Sequence, residues 1–150
     1  MPATETPHQL VLVRVLPVPR AHVFRAWSDP AIMARWFFAQ VGWRAIVTAD
    51  FRIGGVYTLE MFDGDMSMIS VHGTYQEIAP VDRLAFTWNS AAVHGTLVTI
   101  ELREVPGATE LTLTHTLFPS EAQAQNHSGG WYGCLDSLAQ FLSTNSTKQP

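Results

Sequence analysis

The sequence predicts an α+β fold in which a curved antiparallel sheet of about seven strands wraps around a long C-terminal helix. Stretches with a period of two follow one another from residue 43 to residue 117 and are joined by brief turns. This is how consecutive strands of an antiparallel sheet are connected. A helical stripe of apolar residues follows the last stretch. A sheet with one apolar face has to be covered, and this helix offers the matching surface.

The chain is expected to begin with one strand and a bent pair of short helices. Residues 10–16 (LVLVRVL) are β-branched and apolar, which predicts a strand buried on much of both faces. Residues 21–27 follow a proline and predict the first helix. Ser28-Asp29-Pro30 is a second helix start, a capping side chain followed by proline, so residues 31–37 predict the second helix with Trp36 turned inward. The pair should close one end of the sheet.

Six further strands are expected in the middle of the chain. They are predicted at residues 43–49, 56–62, 67–78, 84–88, 98–103 and 110–117. Between the second and third of these, Asp63-Gly64-Asp65 is typical of a hairpin turn. In the last strand the alternation places Leu111, Leu113, His115 and Leu117 on the covered face.

The last predicted helix begins near Ser120, which with Gln123 fits a capping box. Its inward stripe consists of His127, Trp131, Cys134, Leu135, Leu138, Phe141 and Leu142. Gly129-Gly130 lowers the helix propensity and predicts a kink or break. Residues 144–150 are polar and are expected to form a frayed tail. One domain is therefore expected over residues 1–150, with its core at about 8–143.

Composition narrows the kind of function. The 150 residues are 47% hydrophobic and 15% charged, with a net charge of −4. A chain this apolar is not disordered, and without a basic stripe it is not expected to bind nucleic acid. Cys134 is the single cysteine, so no disulfide can form within the chain, and a cytoplasmic location is expected. We recognise neither a signal peptide nor the ~20 consecutive apolar residues of a membrane span.

Several motifs together carry a resemblance to a known family. In chain order they are residues 19–24, 27–30, 35–36, 50–57, 73–78, 84–88 and 111–115, followed by His127, Gly130-Trp131 and residues 135–138. Their order and spacing resemble the activator of heat-shock-protein-90 ATPase homologue (AHSA)-like family. This family lies within the SRPBCC, or START-like and birch-pollen-allergen-like, superfamily. The match extends over residues 10–142, nearly the whole chain.

The resemblance implies a helix-grip fold with a cavity between the sheet and the last helix. Members of the wider superfamily include lipid carriers, plant-hormone receptors, polyketide cyclases and chaperone activators. The resemblance therefore specifies the fold more closely than the function. The eukaryotic chaperone activators pair this domain with a separate N-terminal domain, which these 150 residues do not contain.

Two histidines are the candidate catalytic residues. Alternation places His115 among leucines, either as a neutral core histidine paired with a neighbour or as a ligand anchor or general acid or base. His127 lies on the inward stripe one turn before Trp131, where it either approaches His115 or bonds a loop carbonyl. No Cys/His cluster has the spacing of metal ligands, so no metal and no cofactor is expected.

The expected cavity is lined by aromatic, methionine and histidine side chains. Core packing is the alternative for each aromatic residue, because large aromatics dominate the burial of any domain. Tyr57 and Tyr75 are favoured because an inward hydroxyl gives a pocket the polar point that orients a ligand. The candidate ligand-binding residues are Trp36, Tyr57, Met61, Tyr75, Trp88, His115, His127 and Trp131.

The predicted function is the binding of a small apolar or amphipathic molecule between sheet and helix, without catalysis. One alternative is a cyclase- or dehydratase-like enzyme in which His115 or His127 moves a proton on a bound carbonyl compound. The other is an interaction module that binds a chaperone or another protein through its outer face. A homodimer is compatible with all three functions, since symmetric dimers are common.

Overall fold

The chain folds into one antiparallel sheet of seven strands with a long helix packed across it. The computed structural model describes residues 8–147, with side chains as far as residue 144. The elements are β1 (His8–Leu16), α1 (Arg20–Ser28), α2 (Pro30–Met33), β2 (Arg44–Ala49), β3 (Val56–Asp63), β4 (Met66–Ala79), β5 (Arg83–Trp88), β6 (Thr96–Val105), β7 (Ala108–Phe118) and α3 (Glu121–Thr147). The strand order is β1-β7-β6-β5-β4-β3-β2. The predicted fold class is confirmed, and the predicted tail at residues 144–150 overlaps α3 up to residue 147 and otherwise lies outside the described residues.

The core lies between one face of the sheet and the helices. The inward stripe of α3 is confirmed, since Trp131, Cys134, Leu135, Leu138 and Leu142 are all buried. They form one buried cluster with the leucines of β7 and the branched side chains of β6. None of the helices within residues 8–147 is long and apolar enough to cross a membrane.

The outer face of β1 differs from the prediction. Its leucines are buried, whereas Val11, Val13 and Val15 are between 49% and 61% exposed. β1 is the edge strand of the sheet, and α3 packs against it. Because α3 covers only the leucine face, burial on both faces is wrong and the strand alternates like its neighbours.

The helix α2 is a single turn rather than the predicted helix over residues 31–37. Asp29 caps it as expected, because its carboxylate accepts a hydrogen bond from the Ala31 N–H at 2.9 Å. The chain then continues through turns at residues 34–36. Trp36 and Phe37 are nevertheless buried, and their rings stack with centroids 4.5 Å apart.

The helix α3 runs without interruption across Gly129-Gly130, so the predicted break is wrong. Its predicted start is confirmed, since the Ser120 hydroxyl accepts a hydrogen bond from the Gln123 N–H at 3.2 Å. Packing of the apolar stripe on the sheet stabilises a helix more than propensity does. Gly133 has a separate role. A Cβ there would lie 1.9 Å from the Ala39 carbonyl oxygen, so the glycine lets the α2–β2 connection cross the helix closely.

The alternation of β7 ends before the strand does. Leu117 has a φ of +70° and is 47% exposed, while Phe118 is buried in its place. The pairing of β7 with β1 shifts register here, as at a β-bulge. The inward orientation predicted for Leu117 is therefore wrong. Phe118 instead contacts His115, with ring centroids 4.2 Å apart.

The long strand β4 is shared between two parts of the sheet. It pairs with β3 along most of its length, but its ladder to β5 covers only residues 75–79. A bridge between His72 and Asn89 marks the end of the contact with the β5 side. A Cβ at Gly73 would lie 2.0 Å from the Thr87 carbonyl oxygen, so this crossing requires a glycine. Beyond it the first residues of β4 and the loop after β5 form the two sides of an opening in the sheet.

Candidate functional site

A cavity of about 760 Å³ lies between this opening and the first half of α3. Its apolar lining consists of Ala39, Met61, Met68, Ile69, Trp88, Ala91, Ala92, Gly130, Trp131 and Cys134. Its polar lining consists of Ser67, Ser70, His72, Ser90, Gln123, Asn126 and His127. This volume, and a lining of apolar side chains with a few polar groups, are typical of small-molecule sites.

The lining contains no Asp, Glu, Lys or Arg side chain. Burial raises the pKa of the Cys134 thiol well above its usual range, so this sulfur stays protonated and unreactive. Within residues 8–147, no three His, Cys, Asp or Glu side chains come together in a way that could hold a metal ion. Besides the Cys134 thiol, the ionisable side chains that line the cavity are His72 and His127.

The structure brings together four of the candidate ligand-binding residues at this cavity. Met61, Trp88, His127 and Trp131 line it, whereas Trp36, Tyr57, Tyr75 and His115 do not. Trp36 belongs to the packing around α1, where its Nε1–H donates to the Ala26 carbonyl at 2.9 Å. Strand alternation identifies the covered face, but it does not say which covered residues border an empty volume.

Both tyrosines are buried in the core and do not line the cavity. The Tyr57 hydroxyl donates to the Thr87 carbonyl at 2.5 Å, and the Tyr75 hydroxyl is buried with no hydrogen-bond partner among the described residues. Burial raises the pKa of Tyr75 to about 12 and, together with the neighbouring Tyr75, raises that of Tyr57 further. Both phenols are therefore neutral at any physiological pH.

His115 is fully buried, and both of its ring nitrogens are hydrogen-bonded. The Trp131 Nε1–H donates to Nδ1 at 3.0 Å, so Nδ1 carries no proton. The proton is on Nε2, which donates to the Thr96 hydroxyl at 2.9 Å, and that hydroxyl donates to the Trp88 carbonyl at 2.6 Å. Burial, with a smaller effect of His127, lowers the pKa of His115 to about 3. Of the two alternatives for His115, these contacts favour the neutral core histidine that is paired with its neighbours.

This chain of hydrogen bonds joins the two tryptophans of the cavity wall. Trp131 is held through its indole and Trp88 through its backbone, and their rings lie 4.9 Å apart. Both tryptophans line the cavity, whereas His115 and Thr96 stand behind them. His115 therefore positions the wall from outside the cavity.

The Thr96 hydroxyl is expected to contribute measurably to the free energy of unfolding. Thr96→Val leaves the His115 Nε2–H and the Trp88 carbonyl without this partner in a buried place, which should lower the free energy of unfolding by about 1–3 kcal/mol. Urea denaturation measures the loss. Thr99→Val on the same strand is the control, because the Thr99 hydroxyl makes no hydrogen bond within the described part of the chain. Equal losses in the two variants would contradict the assigned role.

Of the two candidate histidines, His127 is the one that lines the cavity. Its Nδ1 lies 2.8 Å from the Gln123 carbonyl oxygen, one helical turn earlier. Its ring contacts His115 and Phe118, with centroids 5.4 and 4.9 Å away. The expected approach of the two histidines is therefore present, and the carbonyl that His127 binds belongs to α3 itself.

One polar lining residue of α3, Gln123, could have been predicted from the sequence, although the apolar stripe left it out. Gln123, His127, Gly130 and Cys134 recur at spacings of four, three and four, so they share one helix face. Extending the stripe to its polar members would have identified Gln123. The serines at positions 67, 70 and 90 carry no such signal, because they border the cavity only where the sheet opens.

The seven-stranded antiparallel sheet, the long helix across it and the cavity between them define a helix-grip protein of the SRPBCC type. More narrowly, the chain belongs to the family described as activator of Hsp90 ATPase homolog 1-like protein, whose profile matches residues 17–143. The resemblance found in the motifs is thereby confirmed. No curated protein matches the chain.

Solved structures of bacterial proteins share the fold over nearly the whole chain. Protein CV1439 from Chromobacterium violaceum is 28% identical, with 91% of this chain and 98% of that chain covered and a TM-score of 0.80. A protein from Rhizobium leguminosarum is 29% identical, with 92% and 95% covered and a TM-score of 0.73. Protein NE0264 from Nitrosomonas europaea is 24% identical, with 92% and 96% covered and a TM-score of 0.78.

Proposed function

We propose that the protein binds a small, uncharged, predominantly apolar molecule in the cavity between the sheet and α3. The observation that carries this proposal is the cavity of about 760 Å³, with tryptophan and methionine walls and a polar rim. Sites of this volume bury most of the surface of a drug-sized molecule. Apolar surface removed from water contributes about 25 cal/mol per Å², which is the main source of affinity for such a ligand.

The charge of the lining supports an uncharged ligand. An ionised group that leaves water needs a partner of opposite charge. No acidic or basic side chain apart from histidine borders the cavity. The serine, glutamine and asparagine side chains of the rim instead offer neutral hydrogen bonds, which orient a ligand without demanding a charge.

Two neighbouring glycines of α3 give a matched test of this proposal. Gly130 lines the cavity, whereas Gly129 is exposed, and a Cβ at either position meets no heavy atom within 4 Å. Both Gly130→Leu and Gly129→Leu should therefore be accommodated, with a gain in helix propensity of up to about 1 kcal/mol each. Only Gly130→Leu places a side chain in the cavity, so only this variant should lose ligand affinity, by tenfold or more.

The measurement has two parts. Native mass spectrometry of the purified protein, followed by denaturing extraction, identifies a molecule that the protein already carries. Titration with the uncharged dye N-phenyl-1-naphthylamine then compares the wild type with the two leucine variants. Equal dye binding by all three proteins would contradict ligand binding in this cavity.

The enzymatic alternative rests on His127 rather than on His115. Both nitrogens of His115 are engaged by Trp131 and Thr96, so it has neither a free proton nor a free lone pair to offer a substrate. His127 borders the cavity. A cyclase or dehydratase would release a product from a bound carbonyl compound, whereas a carrier or receptor returns the molecule unchanged. Analysis of the extracted ligand after incubation separates the two.

The interaction-module alternative concerns the outside of the molecule. The exposed valines of β1 form an apolar strip on the face away from α3. Binding of a chaperone through such a surface would be unaffected by Gly130→Leu. Co-elution with the chaperone that survives this substitution, in a protein that carries no small molecule, would favour the module over the carrier.

A further inference from the structure

We infer that the ligand of this cavity carries an O–H or N–H group that donates a hydrogen bond to Nε2 of His127. The inference rests on the proposed function, because it names a chemical feature of the molecule that the cavity binds. It is carried by three observations: the tautomer of His127, the neighbours of its ring, and the lack of a competing protein donor.

The hydrogen bond to the helix backbone fixes the tautomer of His127. A backbone carbonyl oxygen can only accept, so the contact of 2.8 Å with Gln123 requires a proton on Nδ1. In the neutral ring Nε2 then carries a lone pair and no proton. Nδ1 is turned toward the helix, and Nε2 is the nitrogen on the far side of the ring.

The neighbours of His127 do not supply a donor to this nitrogen. Phe118 has no polar atom to offer, and the Nε2–H of His115 is already donated to Thr96. The Trp131 indole N–H, one turn further along α3, is donated to His115. Among the described residues, no hydrogen bond reaches Nε2 of His127. The protein thus uses the donors near His127 for the wall and leaves Nε2 of this cavity-lining residue without a protein donor.

An unmatched acceptor of this kind selects among ligands. A ligand that displaces water from Nε2 has to replace the hydrogen bond that water makes, and an ether or a hydrocarbon cannot do so. The loss of a partner for a desolvated acceptor corresponds to about a tenfold loss in affinity. A carboxylate is disfavoured too, since it presents only acceptors to an acceptor. The preferred ligand is therefore an alcohol, phenol or amide with an apolar body.

The test uses a pair of probes that differ in this donor alone. 2-Naphthol and 2-methoxynaphthalene have the same ring system, but only the naphthol can donate a hydrogen bond. At neutral pH the wild-type protein should bind 2-naphthol about tenfold more tightly than 2-methoxynaphthalene. Binding is followed by quenching of tryptophan fluorescence, since Trp88 and Trp131 line the cavity.

Two substitutions at His127 test whether this preference comes from Nε2. His127→Phe keeps a flat ring without an acceptor, so the ratio of the affinities for 2-naphthol and 2-methoxynaphthalene should fall from about ten to about one. His127→Gln offers an amide oxygen in place of Nε2 and should retain part of the preference. In the wild-type protein, the ¹⁵N resonance of His127 Nε2 should differ between the two complexes, because 2-naphthol replaces the hydrogen bond of the displaced water and 2-methoxynaphthalene does not.

The outcomes separate this inference from the proposed function. An equal preference for 2-naphthol in the wild type and His127→Phe, or the same Nε2 resonance in both complexes, overturns the inference and leaves cavity binding intact. The same holds if neither naphthalene binds a protein that takes up N-phenyl-1-naphthylamine. If Gly130→Leu binds every probe as the wild type does, the cavity is not the site, and the proposed function fails along with the inference.

Discussion

Gly133→Ala is expected to destabilise the protein by about 3 kcal/mol, although alanine is the better helix former. The added Cβ would lie 1.9 Å from the Ala39 carbonyl oxygen and 2.8 Å from its carbonyl carbon. These are backbone atoms, which cannot turn aside as the end of a side chain can. The α2–β2 connection or α3 itself would have to move, and overpacking of this kind costs more than helix propensity returns.

The control for this prediction lies one turn earlier on the same helix. Gly129→Ala adds a methyl group where no heavy atom lies within 4 Å, so it should raise the free energy of unfolding by up to about 1 kcal/mol. Urea denaturation of the two variants compares identical chemical changes with opposite expected signs. A neutral or stabilising Gly133→Ala would contradict the close crossing of the α2–β2 connection over α3.

The protein is expected to lose stability as the pH falls below the pKa that His115 has in the unfolded chain. The unfolded chain takes up a proton on this ring below about pH 6.5. In the folded protein, burial lowers the pKa to about 3, so the unfolded state holds more protons throughout this interval. The contribution is complete above about pH 6.5 and declines by at most about 1.4 kcal/mol for each pH unit below it.

His115→Gln isolates this contribution from other titrating groups. A glutamine can accept from the Trp131 indole and donate to Thr96, so it keeps both hydrogen bonds but cannot titrate. His127, whose ring contacts His115, is present in both proteins. Between about pH 7 and about pH 4.5 the stability of the wild type relative to the variant should fall by roughly 2–3 kcal/mol. Parallel stability profiles for the two proteins would show that His115 is not kept neutral by the fold.

Most of the fold was predictable because the sheet and the last helix are patterned locally. Alternation along β3 and β6 and the stripe on α3 each state which side chains face inward, and a single layer of helices is what an apolar sheet face requires. The predictions were wrong where the packing of an element against another element, rather than its own sequence pattern, determines its structure. The outer valines of β1 are exposed because the strand lies at the edge, and the break expected at Gly129-Gly130 is absent because packing on the sheet outweighs propensity.

The candidate site was predictable only in part, for a geometric reason. Trp88 and Tyr57 both belong to the covered face of their strands, yet only Trp88 borders the cavity. The difference depends on where β4 parts from β5, which is a property of the register between strands and not of either strand's own sequence. Leu117 is a similar case, because the bulge that turns it outward is set by the pairing of β7 with β1.

The opening in the sheet gives the two sides of the cavity different mechanical properties. On one side, Trp131 and Trp88 are tied to β6 and β7 through His115 and Thr96, in a fully buried chain of hydrogen bonds. On the other side, the first residues of β4 pair with β3 and, before the His72 bridge, not with β5. This end of β4 therefore has no ladder hydrogen bonds to β5 that a change in the curvature of the β3–β4 hairpin would break. For the ligand proposed above, one stiff wall and one more compliant wall would admit molecules of different width while the hydrogen bond to His127 stays in place, so selection by chemical groups would be sharper than selection by size.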